Sequence, residues 1–450
     1  MARPVITKRS PSPVIRLTLA LAAIMAAGCT PAASTLPATG TPEPEARIPG
    51  TIAFLGSDGN VLLMAPDGSD QRPLTDDAEP PTFGGTSFRY YEALAWAPGS
   101  GHLAFVGVTG DGGGIERSQV LVAAGPAGVS PVFERPGELP FYLFWSPDGS
   151  RLSFLASSQE QTDLSLWIVS QSEEPIMLDQ GQPYYWDWSP DGQSLLAHVG
   201  GSAAVSPGEA RVTRFAAVPG SGQSLALRPL TFQAPAYEPQ GWRSLVAAGA
   251  PDGSSGLLLL DRQGSPLGQV AQVGQTVAFD WSPSGRWAAF VEQDSDPPAR
   301  FGELILLDLD QPTEPRLQPT GLTSVAAFFW SPQGDRLLAI VPVRAVPDEN
   351  QLVSSHRQTA TWRLRLYLVE PPSGQPHFLT EVEPTSDFLS LLPFYDQYQR
   401  SSRLWSPDGE WLVLPIVRQG GDHWIARLEA SPAGSLAPLA PGELAFWSFE

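Results

Sequence analysis

Cysteine is almost missing from this chain: the single one in 450 residues is Cys29. One thiol cannot make an internal disulfide, and cysteine catalysis or a Cys-built metal site has nothing to draw on. Lysine is as scarce, with Lys8 standing alone. It falls in the leader described below, so Schiff-base and lysine-base chemistry are excluded from the mature protein and cationic chemistry passes to arginine. The five histidines, His102, His198, His356, His377 and His423, sit far apart and without metal-ligand spacing, so no metal, no cofactor and no His-based catalytic centre is expected. Positive charge is short throughout. The formal net charge is −20, and it becomes −24 once the four basic residues of the first 28 are removed. A body so acidic should repel nucleic acid and anionic lipid.

Turn formers and aromatics are plentiful instead: 47 Pro, 43 Gly and 14 Trp in a chain that is 42% hydrophobic. That mixture suits many short strands joined by tight turns and is too apolar for disorder. Residues 1–28 read as a signal peptide, with basic residues up to Arg16, an apolar core from Leu17 to Met25, and small residues before Cys29. The core is too short to span a bilayer roughly 30 Å thick, and no later segment approaches that length. Ala26-Ala27-Gly28-Cys29 resembles the lipobox of bacterial lipoproteins. The resemblance implies a lipidated Cys29, a membrane anchor and an extracytoplasmic address in the cell envelope. Residues 29–48 then form a Pro/Thr/Ala-rich tether ahead of a single domain over 49–450.

That domain is built on an internal repeat: an apolar strand ending in Trp, a Ser-Pro-Asp-Gly turn, and another apolar strand. Legible copies start at Trp96, Trp145, Trp188, Trp281, Trp330 and Trp405, and a degraded one is read at Trp242. Each copy continues into a third strand, such as Leu166 to Val169, and a short fourth. The chain's first strand, Ile52 to Leu55, lacks an opening partner, and the last, Leu444 to Trp447, lacks a successor. The expectation is an all-β propeller of four-stranded antiparallel blades, eight favoured and seven the alternative, with the ring closed by the C-terminal strand. The Pro presets the turn and the Gly accepts a positive φ, so the motif reads as a hairpin device in which Trp packs between blades and Asp bonds turn amides.

The WSPDG unit, with later short strands ending in Leu-Thr at Leu74-Thr75, Leu230-Thr231 and Leu379-Thr380, resembles the TolB-type, WD40-like propeller repeat across about residues 50–450. The resemblance implies the fold. It leaves function open, because such propellers serve as scaffolds, binding modules and accessory domains. TolB-type proteins carry an α/β domain ahead of the propeller and peptidases of this kind append a hydrolase domain; neither has room here, and no G-x-S-x-G is present.

Loop lengths point to one face. Connections between first and second and between third and fourth strands are tight, whereas the other class holds long insertions at 76–93, 107–118, 200–210, 342–363 and 381–403. Two of these are aromatic and charged, with Phe88, Arg89, Tyr90 and Tyr91 in one and Phe394, Tyr395, Asp396 and Tyr398 in the other. Aromatics with a polar handle suit recognition. The expected function is therefore a non-enzymatic, surface-tethered propeller, without catalytic residues, that binds a protein, peptide or glycan of the envelope through its long-loop face. The alternative is a carbohydrate-active or other hydrolytic or lyase enzyme using carboxylates at the central channel.

Overall fold

The computed structural model describes residues 48–450 apart from 82–84, 126–127, 159–162, 171–172, 201–209, 231–232, 250–253, 275, 293–301, 312–313 and 345–361. The leader, Cys29 and most of the tether lie outside the described residues, as does His356.

The repeat dictates the topology. Ser87–Trp96, Leu103–Asp111, Gly114–Ala123 and Val129–Glu134 pair in sequence order as a four-stranded antiparallel sheet, and the same order recurs over 138–181, 184–224, 277–319 and 327–382. The count of eight blades is corrected to seven sheets. The units at Trp405 and at the two chain ends, read as separate blades, share one six-stranded sheet. In it Leu436–Trp447 runs unbroken as a partner of His423–Glu429 at its start and of Ile52–Gly56 at its end. No turn interrupts those twelve residues, so nothing divides the sheet. Ile52 pairs with Trp447 and Leu55 with Leu444. The opening strand expected at Trp405 is reduced to one bridge, Trp405 with Leu412.

The WSPDG turn works as a hydrogen-bonded unit. In the copy at Trp145, the Ser146 hydroxyl donates to Asp148 at 2.6 Å and accepts from the Arg151 amide at 3.0 Å, and Asp148 takes the Ser150 amide at 3.1 Å. The same Ser–Asp bond recurs at Ser189–Asp191 and Ser406–Asp408. Ser146, Ser189, Ser282, Ser331 and Ser406 are fully buried, which a hydroxyl tolerates only with its bonds made. Gly149 holds φ +66°, and a Cβ there would come 2.3 Å from the Pro98 carbonyl of the neighbouring turn, so the glycine is needed for both conformation and space.

Tryptophan links one sheet to the next. The Trp145 indole donates to the Ala95 carbonyl at 3.1 Å, Trp188 to Phe144 at 3.3 Å, Trp281 to Ala236 at 3.2 Å, Trp405 to Phe329 at 2.9 Å and Trp96 to Phe446 at 3.2 Å. Each acceptor is the residue just before the Trp position of the preceding unit. Among the described residues Trp330 and Trp447 make no such bond. Around Trp145 the core joins Ala95 and Ala104 of one sheet to Phe154 and Trp167 of the next, so the apolar interior lies between sheets.

That rule relocates the degraded copy. The acceptor for Trp281 is Ala236, so the tryptophan position of the fifth unit is Tyr237 and not Trp242. The stretch Tyr237-Glu238-Pro239-Gln240-Gly241 matches Trp-Ser-Pro-Asp-Gly, the Glu238 amide bonds the Arg243 carbonyl as Ser146 bonds Arg151, and the spacing to its neighbours becomes a regular 49 and 44 residues. The opening strand is split into Arg228–Pro229 and Ala236–Tyr237, both paired to Ser244–Gly249. Between them the Gln233 carboxamide binds both the N–H and the carbonyl of Ala247, standing in for a strand residue.

Candidate functional site

The insertion at 76–93 ends in strand. Ser87–Trp96 and the adjoining Leu103–Asp111 and Gly114–Ala123 run past the core as a ladder paired out to Ser87–Asp111 and Asp111–Gly114, so residues 107–118 form a projecting hairpin where a loop was expected. Strand alternation then sorts the four predicted residues. Phe88 and Tyr90 share one side, half-buried and stacked at 6.1 Å between ring centroids. Tyr91 turns to the other, 9% exposed, edge-on to Phe105 at 5.7 Å, and donates to Asp77 at 2.5 Å. Burial and that carboxylate push the Tyr91 phenol up to about 12. Arg89 pairs with Asp77 as well, so Asp77 serves as an anchor for two side chains of this strand.

The insertion at 381–403 folds as a helical segment: α1 (Ser386–Leu391), a 3₁₀ turn (Leu392–Phe394) and α2 (Tyr395–Tyr398). Thr385 starts it, its hydroxyl accepting from the Phe388 amide and donating to the Glu443 carbonyl at 2.6 Å. The recognition surface expected here is largely turned inward. Tyr395 is 5% exposed and packs edge-on to Phe328 at 5.3 Å, Asp396 is buried, and Phe394 and Tyr398 are half-buried, Tyr398 lying edge-on to Tyr142 at 4.8 Å. Apolar rings placed over the open inner strands of a propeller gain more from covering them than from facing water.

The residue that fixes this segment is Gln397, which the sequence reading did not single out. Its side-chain oxygen accepts from the Trp186 amide at 2.9 Å, and its amide donates to the Trp186 carbonyl at 2.9 Å and the Tyr142 hydroxyl at 2.8 Å. The Tyr142 hydroxyl in turn donates to the Gln397 carbonyl at 2.7 Å. Tyr142 holds φ +46° at a bulge in its strand, a conformation costing on the order of 1–3 kcal/mol that turns its ring onto the insert. Arg400 follows. Its Nη1 donates to the Trp186 carbonyl at 3.0 Å and lies 3.5 Å from Asp187, while Nη2 lies 4.0 Å from Asp280. The segment thus touches opening strands of four sheets, those holding Tyr142, Trp186, Asp280 and Phe328, and opening strands are the innermost of a propeller.

Charge in this cluster is unevenly held. Burial opposes the charge of Arg400, 6% exposed in its side chain, but Asp187 and Asp280 outweigh it and keep the guanidinium protonated. Burial raises the Asp187 carboxyl, against Arg400 and the Tyr237 amide that donates to it at 2.7 Å. Asp280 is farther from Arg400, and burial together with the Asp187 charge pushes it up to about 7.

The chain is similar to TolB-type propellers. A TolB from Acinetobacter baumannii matches at 15% identity and a TM-score of 0.35, over 62% of this chain and 66% of that one. An oligogalacturonate lyase in complex with manganese matches at 15% and 0.43 over 88% and 85%, and a periplasmic gluconolactonase from Pseudomonas aeruginosa at 15% and 0.41 over 80% and 99%. The chain spans just under two thirds of the length of the first. No family model and no curated protein matches the chain. At these scores the likeness says nothing of chemistry, and the propeller rests on the strand order and pairing above.

The remaining candidates are structural or lie elsewhere. His198 is buried with its ring 3.2 Å from the Gln233 carbonyl, and burial lowers it to about 4. His423 lies 2.6 Å from Glu443. Among the described residues no three of His, Cys, Asp and Glu are grouped to hold a metal ion.

Proposed function

We propose that this chain is a non-catalytic binding propeller, exported and tethered through Cys29, whose long-insert face recognises a protein, peptide or glycan of the cell envelope. The observation that carries this reading is the helical segment. It covers the inner strands, is held there by the pairing of Arg400 with Asp187 and Asp280, and leaves the projecting hairpin, with the half-buried Phe88, Arg89 and Tyr90, as the more accessible part of that face. The test is crosslinking capture in the native host with the wild type and the Phe88→Ala/Arg89→Ala/Tyr90→Ala triple variant. A single species lost from the triple variant, with the fold intact by circular dichroism, supports the proposal. Equal capture by both overturns it.

A second reading has one observation in its favour. Asp280, held near neutral beside Arg400 and Asp187, is the kind of perturbed carboxyl that acid–base enzymes use. It requires the helical segment to move aside. Hydrolytic or lyase turnover of an envelope saccharide that disappears on Asp280→Asn would replace the binding proposal with this one.

A further inference from the structure

A cavity lies away from both insertions, on the face of tight turns. It encloses about 450 Å³ between the sheet over 184–224 and the split-strand sheet after it. Small-ligand sites fall in the range of roughly 300–1,000 Å³. The walls are hairpin turns of the two units, and one residue there breaks the repeat. Five places after the Trp position the other units carry Gly101, Ser150, Gln193, Arg286, Asp335 and Glu410, whereas the unit of Tyr237 carries Trp242. A solvent-facing turn has no packing use for an indole, and this one is 38% exposed.

Around Trp242 the groove gathers charge and hydrogen-bonding groups. The Arg262 guanidinium lies over the indole, 3.7 Å from the ring centroid. Stacking holds the guanidinium flat and leaves its N–H edge for a ligand. Arg214 donates to the Arg262 carbonyl at 2.5 Å and to the Gln223 side chain at 3.3 Å. Among the described residues neither arginine pairs with a carboxylate. In a protein of net charge −20 that leaves an uncompensated positive spot. Asp191 lines the same groove and uses Oδ1 on the Ser189 hydroxyl and the Gln193 amide, which presents its other oxygen as an acceptor. Two guanidinium groups and one carboxylate leave a single positive charge to neutralise. The side-chain amides of Gln193 and Gln223 add donors and acceptors together.

We infer that this groove is a second binding site, for a short acidic saccharide carrying one carboxylate. The carboxylate sits against the guanidinium edges of Arg262 and Arg214, hydroxyl groups donate to Asp191 and bond the two glutamines, and a sugar ring lies on the exposed part of the indole. A neutral sugar leaves the arginines unanswered. A hydrophobic peptide leaves Asp191 and the glutamines unsatisfied.

The test is calorimetric titration of the full chain with three probes: a trisaccharide containing one uronic acid, its counterpart with a hydroxymethyl group in place of the carboxylate, and a tripeptide with a free C-terminus. The expected order is the uronate first, with the neutral sugar at least tenfold weaker and the tripeptide weaker still. Trp242→Ser installs the residue that the unit at Trp145 carries at this place and should fold normally; it is expected to weaken uronate binding at least tenfold, as is Arg262→Gln. Neither change should alter capture through Phe88, Arg89 and Tyr90, so this site and the one proposed above fail separately. Equal binding of acidic and neutral sugars, preference for the tripeptide, or uronate affinity unchanged by Trp242→Ser overturns the inference.

Discussion

The helical segment at 386–400 and the hairpin at 237–243 are both departures from a regular repeat, and they treat their polar and aromatic groups in opposite ways. In the segment, Gln397, Arg400 and Tyr395 are directed inward onto strands from four sheets, and the gain is a covered interior. In the hairpin, Trp242 and the arginines beside it are directed outward, where no core needs them. An irregularity whose groups are satisfied within the fold belongs to stability. One that leaves a stacked arginine and an exposed indole at the surface asks for a partner outside the protein.

The sharpest way to break this contrast is on the stabilising side. Removing residues 443–450 takes away the partner of Ile52–Gly56 together with Phe446 and Trp447, and no cooperative thermal unfolding should remain in a calorimetric scan. Next in size is Trp145→Ala, which deletes a buried indole packed between sheets and its bond to Ala95. It should lower stability by about 3–5 kcal/mol in a urea titration.

The inward cluster also predicts a pH dependence. Asp280 has a folded-state value of about 7 against an ordinary 3.8, so between those values the folded chain holds a proton that the unfolded chain releases. Its contribution is therefore full below about pH 4 and is lost as the pH rises through 7. The loss amounts to at most about 4 kcal/mol, at about 1.4 kcal/mol for each pH unit. Urea midpoints measured from pH 4 to pH 8 should fall for the wild type relative to Asp280→Asn, and parallel curves would show that Asp280 ionises normally.

Smallest are the two aromatic changes that oppose the regions directly. Among the described residues the buried Tyr395 hydroxyl has no hydrogen-bond partner, so Tyr395→Phe should leave the melting temperature unchanged or raise it slightly. Trp242→Ser should shift stability by no more than about 0.5 kcal/mol, the usual scale for a surface position. A large loss in the second variant would mean that the indole is core after all.

Much of the architecture was legible because its causes are local. Pro at the second turn position, Gly at positive φ and Ser–Asp bonding within five residues fix each hairpin wherever it stands, and the pairing of Ile52–Leu55 with Leu444–Trp447 follows from two unpartnered strands. Tryptophan is a poor marker for the fifth unit, which lies five residues before Trp242 at Tyr237. Pro239 and Gly241 were the better guide, since turn geometry constrains those positions while Tyr can replace Trp between sheets. The number of sheets was misjudged because nothing in the composition of Leu436–Trp447 tells a strand serving two partners from two strands. Part of the predicted site turns inward for a similar reason. Tyr395, Asp396 and Gln397 become interior only once distant sheets are brought around them, and a sequence window cannot distinguish a ring that greets a ligand from one that seals a fold.

The long strand Leu436–Trp447 also sets the timing of folding. Thr51 and Ser448 are joined by a hydrogen bond across 397 positions, so the earliest strand to emerge during synthesis waits for the last before its free edge is covered. Such non-local pairing makes for slow folding and a prolonged interval in which the edge of Ile52–Gly56 is open to other chains. For this protein the vulnerable moment comes before the native state exists, and whatever shields that apolar edge during the wait will govern its yield more than the stability of the finished molecule does.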